Sequence, residues 1–172
     1  LHFALGRGRR GASIGVHDLA KLAPPFNVQA VPGSTSFCPL AMTERMTLDQ
    51  ILTSHPKGID FAHLLEGMTS YPIIFDSNKE VLSFPPIING NQTTVSHSTQ
   101  DFFIDVTGWD RRACESSLML IALQLAERGG SIESVEVTGY GGKVEHLPNS
   151  TPREHKVTQR LLDGLLGRNL ND

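Results

Sequence analysis

The chain has 172 residues, 39% hydrophobic and 19% charged, which is enough apolar material for one domain with a substantial core and excludes a wholly disordered chain. Its 15 basic and 18 acidic side chains leave a formal charge of −3, excluding a uniformly basic nucleic-acid coat but not a local basic patch. Cys38 and Cys114 share no short motif, so they form neither a zinc site nor a disulfide framework and suit a reducing, cytosolic setting; no apolar run is long enough to span a membrane.

Residues 1–21 carry Arg7, Arg9, Arg10 and Lys21 against the single acidic Asp18, in a glycine-rich run. Two readings stand: a solvated, flexible lead-in, or a segment that meets phosphates through arginine's planar fork. The run lacks the spacing and the terminal Lys-Ser/Thr of a phosphate loop. Prolines alternating with Phe26, Val28, Ala30, Phe37 and Leu40 predict extended chain over 24–40. Thr47 and Gln50 form a capping-box pattern, with Met46 and Ile51 placed as a hydrophobic staple. The helix they open carries Leu48, Ile51 and Leu52 on one stripe until Pro56 and Gly58 interrupt it. A second short helix over 59–66 continues the stripe through Phe61, Leu64 and Leu65.

Two apolar runs, 73–75 and 81–84, flank Asp76-Ser77-Asn78-Lys79 and read as a hairpin. Pro85-Pro86 has no amide hydrogens and ends regular pairing. Residues 102–107 are a strand. Asp110 caps a long helix with Cys114, Leu118, Ile121 and Leu125 on one face, stopped by Gly129-Gly130. A last strand follows over 132–137. This order predicts an α+β domain, a mixed β-sheet with helices packed on one face. After Gly141 the pattern becomes polar, with a short helix over 153–166. Residues 1–141 therefore read as one domain and 142–172 as a linker leading into another.

Strand alternation puts Phe102, Ile104 and Val106 on one face and Phe103, Asp105 and Thr107 on the other. Asp105 and Thr107 sit at the strand's end, before a helix N-terminus whose amides organise polar ligands. Ser83 interrupts an apolar strand just before the proline pair. Spacing alone leaves a second reading, the simpler one, in which Asp105 and Thr107 only cap the helix and Ser83 fills a gap. The seven histidines have no His-x-x-x-His spacing, which argues against zinc. His17-Asp18 reads as a structural turn ahead of a catalytic or RNA-facing pair. No Gly-x-Ser-x-Gly elbow occurs.

Several consecutive words carry a resemblance. They are Ile14-Gly15-Val16-His17-Asp18-Leu19, Tyr71-Pro72-Ile73-Ile74, Val81-Leu82-Ser83-Phe84-Pro85-Pro86-Ile87-Ile88-Asn89 and Phe103-Ile104-Asp105-Val106-Thr107-Gly108. In order over roughly 1–140, they resemble the β subunit of archaeal and eukaryotic phenylalanyl-tRNA synthetase. The tail from Thr151 to Gly167 resembles the start of that subunit's next domain. The chain begins at Leu1 without a signal-peptide layout and reads as a piece cut from a longer polypeptide.

The resemblance implies the subunit's central editing domain, an ester hydrolase acting on mischarged Tyr-tRNA(Phe) and separate from the aminoacylation site. It implies that Ser83, Asp105 and Thr107 line the editing pocket, with Ile74 and Asn89 as further wall residues. No His or Cys nucleophile is apparent, so a positioned water would attack the ester. Arg7, Arg9 and Arg10 are expected to meet tRNA. No cofactor or metal is expected in this piece, while ATP and magnesium are implied for the complete synthetase. The implied partners are tRNA(Phe) and the α subunit of a cytoplasmic heterotetramer, with no membrane or DNA. The alternative is a non-catalytic tRNA-binding or subunit-packing module of the same synthetase.

Overall fold

The structure, a computed structural model, describes residues 1–149, 151 and 154–167. It divides into two compact units, Leu1–Glu133 and Ser134–Asp172. No helix among the described residues is long and apolar enough to cross a membrane.

In the first unit the glycine-rich start is an ordered loop. Gly11 donates to the carbonyl of Gly6 at 2.8 Å, and the His2 ring accepts from the amide of Ile14 at 2.9 Å. Arg7, Gly8 and Arg9 all have positive φ, so the chain reverses tightly here instead of running on as a flexible lead-in. Strand β1 (Ser13–Asp18) follows, and the alternation of its buried Ser13, Gly15 and His17 with Ile14 and Val16 is a half-buried strand pattern. It pairs antiparallel with the later β8 (Phe102–Thr107), with Gly15 opposite Asp105 and Ser13 opposite Thr107.

The main core lies beneath a second sheet. Strand β2 (Asn27–Val31) pairs with β5 (Tyr71–Phe75), which forms the expected hairpin with β6 (Val81–Phe84). Asp76 holds the turn, its Oδ1 accepting from the amides of Asn78 and Glu80 at 2.9 Å each. Beyond Phe84 the chain turns over a cis Pro85–Pro86 bond and returns as a short strand, β7 (Ile88–Asn89). The proline pair thus makes a turn within the sheet, because Ile87 supplies the amide the prolines lack, donating to Phe84 at 2.7 Å.

The short β3 (Ser36–Phe37) and β4 (Met46–Thr47) pair with each other and lead into α1 (Leu48–Ser54), which opens with the complete capping box of Thr47 and Gln50. Pro56 begins the next helix, α2 (Pro56–Phe61), where its missing amide hydrogen costs nothing at the first helical position. Gly58 lets the two helices touch: a β-carbon there would fall on the Ile51 carbonyl. Leu48, Ile51, Leu65, Ile73, Phe84 and Ile87 are core members buried together. Helix α3 (Arg111–Ala126) is capped by Asp110, which accepts from Ala113 at 3.0 Å, and lies against β8 and β1. Its expected stripe of Cys114, Leu118, Ile121 and Leu125 is half-buried, and the small Ala113, Ser117 and Ala122 go deepest, as close approach of a helix requires.

The second unit contains an antiparallel hairpin of β9 (Val135–Thr138) and β10 (Val144–Leu147), then α4 (Gln159–Leu166), capped by Thr158. The strand expected over 132–137 is β9, and its partner is β10. The expected start of the last helix at Arg153 lies outside the described residues. The α+β class is as expected. All the pairings are antiparallel, and the strands separate into several small sheets where one mixed sheet was anticipated. The separation arises because β8 finds its partner in β1, a strand the composition of the basic lead-in concealed.

Candidate functional site

A cavity of about 470 Å³ opens in the first unit. This is within the range of sites for small molecules. One wall is the β6–β7 ribbon and the turn between its strands; another is the β1–β8 pair. Leu40, Met42, Ile14, Ile87 and Ile88 make much of the lining apolar. The polar groups are few.

On the ribbon, register sets Ser83 opposite Asn89, and the Ser83 hydroxyl donates to Asn89 Oδ1 at 3.1 Å. The two residues line the cavity together. On the opposite wall Asp105 reaches the cavity from β8, as the alternation requires. Helix α3 contributes nothing to this lining. Asp105 is 10% exposed and its Oδ1 lies 2.7 Å from Nε2 of His17, which is 0% exposed. The other ring nitrogen, Nδ1, lies 2.7 Å from the Thr93 hydroxyl, which itself reaches the carbonyl of Gly90 at 3.2 Å. His17 is therefore part of the site and no mere turn residue. Phe103, on the same strand face as Asp105, packs on Phe26 with ring centroids 4.4 Å apart and stands 6.3 Å from the His17 ring.

His17 and Asp105 do not face each other directly across the ladder. The contact is diagonal and passes over Gly15, where a β-carbon would fall on Asp105 Oδ1 and lie 2.7 Å from His17 Nε2. Only a residue without a side chain permits the pair.

Arg9 lines the cavity from the N-terminal loop. Its guanidinium donates to the carbonyls of Pro86 and Ile87 at 2.9 and 2.7 Å and stacks over Phe61 at 4.2 Å. Burial pushes its pKa below the usual arginine value, which the Asp60 charge partly offsets. Arg9 thus ties the loop to the proline turn, whereas Arg7 and Arg10 are exposed. His55 also lines the cavity: it caps α2, its Nδ1 accepting from the Lys57 amide at 3.1 Å. Burial, with the nearby Lys57 charge, lowers its pKa, so the ring is neutral with its hydrogen on Nε2.

Of the residues singled out in the sequence, Ser83, Asn89, Asp105 and Arg9 meet at one cavity. Thr107 shares the face of Asp105 but stands outside the cavity lining, opposite Ser13. Ile74 is buried and pairs with Ser83, so it shares that face of the sheet as Ser83's neighbour, although it is not among the residues that line the cavity. Thr93, Gly15 and His55 have no site assignment from the sequence, and His17 is given there first as a structural turn, with a catalytic or RNA-facing pair only as its second reading. The alternation of Gly15 and His17 was the available signal for two of them; nothing in the sequence points to Thr93. Among the described residues no group of three or more His, Cys, Asp or Glu side chains is placed to hold a metal ion.

A model of the B3/4 domain matches residues 4–137. The chain belongs to the B3/4 domain family. The phenylalanine–tRNA ligase β subunit of Methanococcoides burtonii is 51% identical over all of this chain and 32% of its own length. That of Archaeoglobus fulgidus is 47% identical over 99% of this chain and 31% of its own. The crystal structure of an N-terminal fragment of the phenylalanyl-tRNA synthetase β subunit from Pyrococcus horikoshii matches with a TM-score of 0.92 at 40% identity, covering 99% of this chain and 49% of that one. The chain spans about a third of the length of the curated relatives it matches. The resemblance read from the sequence is to these proteins, and the B3/4 domain occupies most of the chain.

Proposed function

We propose that this B3/4 domain edits: it hydrolyses the ester of tyrosine wrongly attached to tRNA(Phe), within a ligase that attaches phenylalanine. One observation carries the reading, a small apolar cavity with a fixed carboxylate, Asp105, on one wall and the Ser83–Asn89 pair on the other. A pocket for an apolar ring rejects a ligand that merely gains a hydroxyl by only about 100-fold, while protein synthesis needs about 10⁴. A second site that reads the hydroxyl supplies the difference. A carboxylate oxygen accepts the phenolic hydrogen and finds no partner on a phenyl ring.

No thiol lines the cavity, and the neutral His55 serves its helix cap. The nucleophile in this reading is a water held near Ser83 and Asn89; Thr107, outside the cavity lining, takes no direct part in holding it. Ile74 flanks Ser83 on the same face of the sheet and continues the apolar surface there. Arg9 supplies the cation for the developing oxyanion and is here a cavity residue; Arg7 and Arg10 remain for tRNA phosphates. Aminoacylation, with its ATP and magnesium, and assembly with an α subunit belong in this reading to other parts of a cytoplasmic enzyme.

The test is deacylation of Tyr-tRNA(Phe) by the chain, with Phe-tRNA(Phe) as control. Asp105→Ala should slow tyrosyl hydrolysis at least tenfold, about 1.4 kcal/mol of transition-state stabilisation. An unchanged rate in a folded variant would sink the reading. Absence of hydrolysis by the parent would return the domain to a tRNA-binding or subunit-packing role.

A further inference from the structure

We infer that His17 is the positioning residue of this site: anchored by Thr93, it holds Asp105 through Oδ1 and turns Oδ2 to the cavity as the acceptor for the substrate hydroxyl. The inference rests on the editing reading and adds to it the residue on which hydroxyl recognition depends.

The directions of the hydrogen bonds follow from the inventory of atoms. The Gly90 carbonyl can only accept, so Thr93 spends its single hydrogen there and must accept from His17. Nδ1 of His17 therefore carries a hydrogen. A second proton must lie between Nε2 and Asp105 Oδ1, since two lone pairs do not meet at 2.7 Å. His17 and Asp105 together are then neutral overall, whichever atom holds that proton, which lets a ring with no exposed surface remain buried beside a carboxyl group.

Two consequences follow for the chemistry. Oδ1 of Asp105 is taken up by His17, which leaves Oδ2 as the acceptor, so its part is recognition and not proton abstraction. Its orientation is set from outside the cavity, by a chain that runs from the Gly90 carbonyl through Thr93 and His17. Thr93 and Gly90 bracket the turn that follows β7, so the ribbon wall also aims the carboxylate of the opposite wall.

The experiment compares His17→Asn and His17→Gln with the parent. A Gln amide can reach Asp105 as Nε2 does; an Asn amide stops near Thr93. His17→Asn should lower the ratio of tyrosyl to phenylalanyl deacylation (kcat/KM) about tenfold, and His17→Gln should restore most of it. A merely structural role would move both substrates alike. Equal ratios in parent and His17→Asn would overturn the inference. If Asp105→Ala still lowers that ratio, the editing reading survives the failure. Should both variants fail to fold, nitrogen-15 NMR of the parent decides: a hydrogen on Nδ1 of His17 is expected, and a bare Nδ1 refutes it.

Discussion

The two walls of the cavity are built in opposite ways. On the ribbon, Ser83 and Asn89 are six residues apart and meet because a single proline turn folds the chain back. On the β1–β8 wall, His17 and Asp105 are 88 residues apart and meet only after the whole first unit has closed. The local wall presents one neutral hydrogen bond. The distant wall presents a buried ring and a carboxyl group whose separation leaves each without its partner. A short word in the sequence can specify the first; the second exists only as a property of the fold.

The sharpest way to break this asymmetry is Gly15→Ala. The added methyl displaces Asp105 from His17 and strands a buried ring nitrogen, at a cost of about 2 kcal/mol in denaturant titration. It should remove tyrosyl discrimination at the same time. A variant as stable and as selective as the parent would show that the diagonal contact has no role.

Ser83→Ala tests the local wall. It deletes one hydrogen bond and leaves Asn89 able to find solvent in the cavity, so the expected loss is smaller, about 1 kcal/mol by the same measurement. A loss exceeding that of Gly15→Ala would invert the comparison.

Much of this was legible. The capping box of Thr47 and Gln50, the hairpin around Asp76, the Asp110 cap and the alternation that faces Asp105 inward all depend on residues within a few positions of each other. What was not legible depended on tertiary pairing. β1 is hidden in a basic, glycine-rich lead-in because its partner is the distant β8, and the carbonyls that Arg9 meets belong to a turn no local pattern connects with it. Pro56 does end the first helix as the sequence indicates, and it also opens the second, which starts three residues before the expected Ile59 because the first helical position is where a proline fits.

The smallest effect concerns pH, and it rests on two histidines that cap backbone amides, one beside each wall element. His2, which caps the start of β1, and His55, which caps α2, both have pKa values lowered chiefly by burial. A folded value below the unfolded one means that the unfolded chain takes the proton first. The stability these rings contribute is therefore complete above about pH 6.5 and is lost as the pH falls through that value toward the lowered ones. Tm should decline from pH 7 to 5. His2→Gln and His55→Asn, which keep an acceptor near the same place, should together flatten that decline; an unchanged slope would exonerate both rings.

The bare backbone at Gly15 also governs how such a domain can change over time. While the diagonal contact of His17 with Asp105 passes over it, no side chain can enter position 15. If either of the pair is replaced first, the survivor is left without its partner in an enclosed space. The one passable route dissolves the pair and only then fills the glycine. A B3/4 domain bearing any other residue at this place is thus expected to have already parted with the buried histidine–aspartate contact, and to distinguish its esters, if it does so at all, by some different acceptor. A single position then sorts the descendants of this architecture by whether they keep the histidine–aspartate contact.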